Sequence, residues 1–251
     1  IGNLGDFSPR AVETLLAADF IAAEDTRVSM KLLNHFAIKK PVVSYHAHNC
    51  ASAGQAILQR LLGGETCALV TDAGTPAISD PGEDLVRLCA ENGVEVQSIP
   101  GCCACITALA VSGLPTGRFA FEGFLSANRK ERRERLTAVA GETYTLVFHE
   151  APHKLRNTLC DMLEILGEGA LLEAQWEGNH GRDAARALAE AEENLRQAVR
   201  MDPHLARSQA LLGLVLARMN RVEAQRCLAA AQAFNPHEPH IPELRRLLRR
   251  A

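Results

Sequence analysis

Aromatic side chains are scarce in this chain, 4% of 251 residues with a single Trp, so Leu, Val, Ile and Ala must fill the core that a 47% hydrophobic content allows. A strong charge of either sign is also missing. The formal net charge is −3, so bulk electrostatics does not announce a nucleic-acid binder, and any RNA contact must come from a local patch. No apolar run approaches the roughly 20 residues that span a bilayer, and no signal-peptide pattern is present; a membrane protein is not expected. Neither G-x-G-x-x-G after a strand nor G-x-x-x-x-G-K-[ST] occurs, so the dinucleotide and P-loop readings lack their phosphate cradles. Cysteine is not lacking, but the eight are scattered through apparent helices and strands, such as Cys67 in CALV and Cys89 in LVRLCAEN. That is the pattern of small buried residues in a reducing compartment rather than a disulfide frame, and the expected location is cytoplasmic.

What is present is an alternation. Over residues 1–117, helical spacing (AVETLLAAD, VSMKLLNHF, SAGQAILQRLLGG, GEDLVRLCAENG) alternates with short strand-like runs (DFIAAED, KPVVSYH, CALVTD, VEVQSIPG). This predicts an α/β domain with a mostly parallel sheet. The turn cluster SGLPTG (112–117) marks a boundary, and residues 118–168 read as a shorter second α/β piece: FAFEGF, ANRKERRERLTAVAG, TYTLVFHE and HKLRNTLCDMLEILG. From 169 to 251 strand-like runs vanish and a repeat emerges. Glu190-Ala191, Leu195, Ala198 and Pro203 recur as Glu223-Ala224, Leu228, Ala231 and Pro236, each offset by 33 residues. This all-α region resembles tetratricopeptide repeats, helix hairpins of about 34 residues.

In an open α/β sheet, ligands bind beyond the carboxyl ends of the strands. The segments expected there are IGNLGD, AEDTR (23–27), SYHAHN (44–49), DAGTPAISDPG (72–82) and PGCCA (100–104), each rich in Gly, Pro or polar residues and none containing Lys. Glycines permit close backbone approach, and prolines stiffen the trace. Acids and backbone groups without lysine suit a cationic or zwitterionic ligand better than a polyphosphate.

These segments, with SGLPTGRFAFEGF and TLVFHEAPHKL, occur in an order that resembles the tetrapyrrole methylase (class III methyltransferase) superfamily, in particular its branch acting on small-subunit ribosomal RNA. The resemblance covers roughly residues 1–167. It implies S-adenosylmethionine as cofactor, a cytidine ribose 2′-hydroxyl of small-subunit rRNA as acceptor, the rRNA or ribosomal subunit as partner, and a homodimer. Carried over by position, the cofactor-binding residues are Gly2, Asn3, Leu4, Gly5 and Asp6, then Asp72, Ala73, Gly74, Thr75, Pro76 and Ile78, with Pro100, Gly101 and Ala104 nearby. Methyl transfer to a hydroxyl needs a base in reach, and Glu24, Asp25, His46, Asp72 and Glu150 all stand as candidates. In that family a strand leads into the first Gly loop and further strands follow the position of Gly167, where this chain has repeat-like helices.

Arg129, Lys130, Arg132 and Arg133 are the candidate RNA contacts, against the plain alternative of a solvated helix face with Glu131 and Arg135 paired at i,i+4. The terminal Arg245, Arg246, Arg249 and Arg250 are a weaker candidate. His149-Glu150-Ala151-Pro152-His153 spells H-E-x-x-H, yet Pro152 cannot sit inside the helix that zinc binding needs, and no metal is expected. Cys102 and Cys105 form a lone C-x-x-C with no second pair at metal spacing. The expected function is therefore an S-adenosylmethionine-dependent rRNA 2′-O-methyltransferase carrying a helical repeat. The alternative is a non-enzymatic scaffold that binds a protein or peptide through that repeat, and a tetrapyrrole substrate ranks third.

Overall fold

The computed structural model describes residues 3–180 and 182–249. Gly2 and Arg250, nominated above, lie outside them. The chain divides into two compact units, residues 1–123 with 145–147, and residues 124–144 with 148–251.

The first unit runs α1 (Pro9–Ala17), β1 (Phe20–Ala23), α2 (Thr26–His35), β2 (Val42–Ser44), α3 (Cys50–Leu62), β3 (Cys67–Val70), α4 (Glu83–Glu91) and α5 (Ala104–Val111). The sheet order is β2-β1-β3 and both pairings are parallel, with Ile21 opposite Val42 and Ala68. All four residues of β1 are buried, as expected of a central parallel strand covered on both faces. Its side chains alternate. Phe20 and Ala22 pack with Tyr45, Ile57, Leu85 and Cys89, whereas Ile21 packs with Leu15, Leu33 and Ile38. Local signals set the helix starts: Ser8 caps α1 through Oγ, with Pro9 in its first turn, and Asp25 caps α2, each satisfying an otherwise unpaired N–H. At the amino end of the sheet, Asp19 Oδ2 accepts from Thr66 N–H (2.7 Å) and Oγ1 (2.8 Å), pinning the starts of β1 and β3 together.

One expected strand is absent. Residues 94–101 adopt no regular structure, and β3 stands at the sheet's edge. The run V-E-V has strand character, but a strand exists only where a neighbour takes its backbone hydrogen bonds, and Val96 remains 50% exposed.

A two-stranded sheet pairs β4 (Phe119–Phe124) with β5 (Thr145–His149). In the second unit follow α6 (Arg129–Val139), α7 (Pro152–Asn179), α8 (Ala185–Met201), α9 (Ala206–Arg218), α10 (Ala224–Phe234) and α11 (Ile241–Leu248). The sequence suggested that α7 stops near Gly167. It runs on to Asn179, because the missing side chain admits a neighbour: a Cβ on Gly167 would lie 2.5 Å from Leu195 Cγ of α8. Helix α9 is the hub, buried along ten of its thirteen residues, with Leu211, Leu214, Val215 and Leu216 packed among Leu195, Cys227 and Leu244. The positions related by the 33-residue offset, Ala191 with Ala224 and Ala198 with Ala231, are all fully buried. Gly213 plays the part of Gly167 here, since a Cβ would come 2.5 Å from Leu244 Cδ2 and 3.1 Å from Cys227 Cβ. Gly213→Ala should therefore cost about 1–3 kcal/mol by overpacking, despite the better helix propensity of Ala, and urea unfolding followed by circular dichroism measures it.

Candidate active site

Because β1 and β3 are parallel neighbours with Ala23 opposite Val70, the residues that leave their carboxyl ends emerge side by side. Glu24 Oε2 accepts from Thr71 Oγ1 (2.6 Å) and from Asp72 N–H (3.3 Å), while Asp72 Oδ1 accepts from Asp25 N–H (3.2 Å). Each loop's acid thus takes a donor from the other loop. Three of the nominated bases converge here, and their environments separate them. Asp25 is held by the Arg27 guanidinium (2.6 and 3.1 Å) and by Arg27 N–H (2.8 Å), which brings its carboxyl down to about 2. Asp72 moves the other way. Burial of its carboxyl pushes it up, the Glu24 and Asp25 charges add to this, and the Asp25 N–H and Arg27 oppose it.

One strand further along, Asn49 clasps the exit of β2: its Oδ1 accepts from His46 N–H (2.8 Å) and its Nδ2 donates to the Ser44 carbonyl (3.1 Å). His46 Nδ1 is buried without a partner among the described residues, and its ring stands 5.9 Å from that of His48.

Residues 72–82 form a strained loop. Ala77 (φ 69°) and Ser79 (φ 60°) sit in the left-handed region with Gly74 (φ 84°), a cost that persists only where the surroundings fix the backbone. Gly82 is required twice over, by φ 147° and by space, since a Cβ would lie 2.9 Å from Leu69 Cδ2 and 3.0 Å from Ala77 N. Thr75 Oγ1 donates to the Cys102 carbonyl (3.4 Å), and Cys102 Sγ lies 3.5 Å from the Asp6 carbonyl. These bonds join the Asp72 loop, the loop bearing Pro100, Gly101 and Ala104, and the opening turn Leu4–Asp6, which Asn3 caps through Gly5 N–H. The described cofactor-side candidates therefore lie on three connected loops, beside the exposed side chains of Leu4 and Ile78. A cavity of about 450 Å³ between α3 and α4, lined by Cys50, Gly54, Gln55, Asp84, Leu88 and Glu91 among others, shares no residue with these loops. Its walls are helix faces, so the candidate site rests on the strand exits.

Glu150 belongs to the second unit. Its carboxylate accepts from Thr158 Oγ1 (2.6 Å) and Ala151 N–H (2.8 Å). Burial works to raise it, but these bonds and the Lys154 and Arg132 charges outweigh burial and hold it below the usual range. His149 ends β5 and Pro152 opens α7, so the two histidines of H-E-x-x-H do not share a helix face. The thiols that meet are Cys103 and Cys105 (3.3 Å) rather than Cys102 and Cys105, and among the described residues no three His, Cys, Asp or Glu gather to hold a metal.

The arginine run is only partly available. Arg132, 8% exposed, donates to Asp161 Oδ2 (2.8 Å) and to the Ser126 and Ala127 carbonyls. Arg133 reaches Glu164 (2.6 Å), and Arg129 reaches Asp161 (2.9 Å). Lys130 remains the most exposed of the four. Sequence reasoning missed the clasp residue Thr71 and the left-handed Ala77 and Ser79. The first follows from strand register, and the others carry no signal, since only Gly, Asn and Asp advertise positive φ.

A parallel α/β sheet whose strand exits gather acids and glycine loops has the layout on which open sheets place a ligand. Residues 1–176 match the tetrapyrrole (corrin/porphyrin) methylase family, and the chain belongs to that family. It is 54% identical over 168 residues to the ribosomal RNA small subunit methyltransferase I of Synechocystis, a match covering 67% of this chain and 60% of that protein. The Escherichia coli protein of the same name is 41% identical over 245 residues, covering 93% and 86%, and that of Pseudomonas aeruginosa is 51% identical over 167 residues, covering 66% and 59%. The chain thus spans about 60% of the length of the Synechocystis and Pseudomonas relatives. Among solved structures, a conserved hypothetical protein from Aeropyrum pernix shares the fold, with a TM-score of 0.50 at 19% identity over 72% of this chain and 65% of that one. No helix among the described residues is long and apolar enough to cross a membrane.

Proposed function

We propose that the chain is an S-adenosylmethionine-dependent methyltransferase of the cytoplasm that modifies a cytidine ribose 2′-hydroxyl of small-subunit rRNA. The observation that carries this reading is the reciprocal clasp of Glu24 and Asp72 at the exits of β1 and β3, in a chain 41–54% identical to proteins named for small-subunit rRNA methylation. The residues present suit the cofactor: carboxylates for a cationic centre, no lysine in the loops, and backbone of residues 72–76 and 100–104 held close by the Thr75 bond. S-adenosylmethionine, when bound, supplies an electrophilic methyl group on a positively charged sulfur. Asn3, Leu4, Gly5 and Asp6, with Ala73, Gly74, Thr75, Pro76, Ile78, Pro100, Gly101 and Ala104, would hold and orient it, and orientation carries much of the rate of an in-line transfer.

Asp72 is the base. Its raised carboxyl lies nearer the working pH than that of Asp25, which favours proton transfer, and it would accept the proton of the ribose 2′-hydroxyl. Arg27 keeps Asp25 ionised and occupied, and Glu24 holds the loop of Asp72 in place. Within the arginine run, RNA contact falls to Lys130 and the outer part of Arg129, because Arg132 and Arg133 are engaged by Asp161 and Glu164.

The test is transfer of tritium from methyl-labelled S-adenosylmethionine to unmodified small ribosomal subunits. The expected product carries label in an alkali-resistant dinucleotide, because a methylated 2′-oxygen cannot attack the adjacent phosphate. Label confined to bases, or none, contradicts the reading.

Two partner readings accompany it. Leu155, Leu159, Leu166 and Trp176 stay exposed along α7, supporting a second copy of this chain as partner, which sedimentation equilibrium reads directly. The buried alanines at the 33-residue offset support tetratricopeptide-like hairpins in residues 169–251 that take a peptide.

A further inference from the structure

Helix α11 has two faces of opposite character. Ile241 and Leu244 are buried, Leu244 in the core around α9. Pro242, Arg245, Arg246 and Arg249, spaced i, i+3, i+4 and i+7, share another face and line a shallow recess of about 430 Å³. All four are exposed. The acids of this neighbourhood are already matched: Glu243 accepts from Arg218 Nη2 (2.9 Å), and Glu238, 7% exposed, contacts His240 Nδ1 (2.6 Å). Arg245 lies against the Gln232 side-chain amide. Among the described residues neither Arg246 nor Arg249 forms an ion pair.

The wider sequence points the same way. Residues 203–251 hold eight Arg, three Glu and no Asp or Lys, a formal +5 in a chain whose total is −3. Residues 203–251 are therefore opposite in net sign to residues 1–202, which carry a formal −8. The arginine run of α6 differs, with Arg132 and Arg133 turned into Asp161 and Glu164.

We propose that the Arg245, Arg246 and Arg249 face of α11 is an RNA phosphate contact, an anchor that holds the nucleic-acid substrate by its backbone rather than by the reacting ribose. The inference rests on the methyltransferase reading for the identity of that RNA, not for its geometry. Guanidinium groups bond phosphate oxygens in a bidentate manner, and three of them on one exposed helix face fit a run of backbone phosphates without reading bases. Binding by this face is electrostatic and depends on salt through counterion release.

The experiment uses the full chain and a transcribed small-subunit rRNA fragment, with affinity measured by filter binding from 50 to 300 mM KCl. The variant Arg245→Gln/Arg246→Gln/Arg249→Gln should bind at least tenfold more weakly at the lowest salt. Its slope of log affinity against log salt should be shallower by about 2–3, the loss of three phosphate contacts. The corresponding triple Lys variant should keep most of the slope, since the charge remains. Unchanged affinity and slope in the Gln variant overturn the proposal, as does equal loss in the Gln and Lys variants with circular dichroism unaltered. Stronger Arg-dependent binding to phosphatidylserine vesicles than to RNA overturns it in favour of a lipid surface. S-adenosylmethionine titration separates the two readings. A chain that binds RNA through α11 but takes no cofactor contradicts only the proposed activity, and one that binds cofactor and methylates normally with all three arginines replaced contradicts only the anchor.

Discussion

Asp72→Asn should lower the single-turnover methyl-transfer rate by about 10²–10⁴-fold, the usual worth of a positioned general base. Asparagine keeps an oxygen where Asp72 Oδ1 now accepts the Asp25 N–H, so the clasp between the two strand exits survives while the proton acceptor is lost. Stability should not suffer either. Burial raises the Asp72 carboxyl in the folded chain, so its ionisation opposes folding: the stability it confers is complete below its unfolded-state pKa and is lost as pH rises through the raised folded value. At neutral pH a neutral amide there is therefore neutral or mildly stabilising. The wild-type rate should climb with pH along an acid limb displaced upward from the ordinary Asp value, and Asp72→Asn should abolish that limb. A variant with wild-type rate, or an unchanged limb, removes Asp72 from the chemistry and returns the choice to Glu24 and His46.

Asp161→Ala should destabilise the second unit by about 3–5 kcal/mol, the range for removing one partner of a buried ion pair. Asp161 is 2% exposed and receives Arg132 through Nε (2.8 Å) and Nη2 (2.7 Å), Arg129 Nε (2.9 Å) and Arg133 Nη1 (3.3 Å). Arg132 is itself 8% exposed, so the alanine leaves its charge buried without its ion-pair partner, held only by the Ser126 and Ala127 carbonyls. The network extends beyond this pair. Glu164, fully buried, accepts from Arg133 and from Ser208 Oγ of α9, and Glu168 accepts from Arg207 Nη2 (2.8 Å). The network thereby ties α6 and α7 to α9. Urea unfolding monitored by circular dichroism gives the loss. The double variant Arg132→Met/Asp161→Leu should recover much of it, since well-packed apolar residues often replace a buried pair at little cost. A loss below about 1 kcal/mol for Asp161→Ala would show that the pair is solvated.

The parallel core was legible because β1, β2 and β3 are short β-branched or apolar runs that alternate with segments of helical spacing. The loops were legible from their Gly and Pro content, and Asp72, Gly74 and Thr75 fall on connected backbone. Residues 94–101 misled, because strand composition does not specify a partner. Helix α7 misled at Gly167, since a glycine that ends one helix and a glycine that admits Leu195 look alike in sequence. The arginine run showed its charge but not its partners; Asp161 and Glu164 lie about thirty residues downstream, and only the fold brings them to Arg132 and Arg133. The difference between Asp25 and Asp72 was equally hidden, because it arises from Arg27 on one side and from burial on the other.

Isothermal titration of the full chain with S-adenosylmethionine tests the central claim most directly. A single site should saturate at micromolar ligand, and Gly82→Ala, which forces a Cβ against Leu69 and the Ala77 backbone, should weaken it at least tenfold while the α-helical signal is retained. No heat at millimolar ligand, or binding indifferent to Gly82, would contradict a cofactor site built on the loop after β3 and the two loops bonded to it.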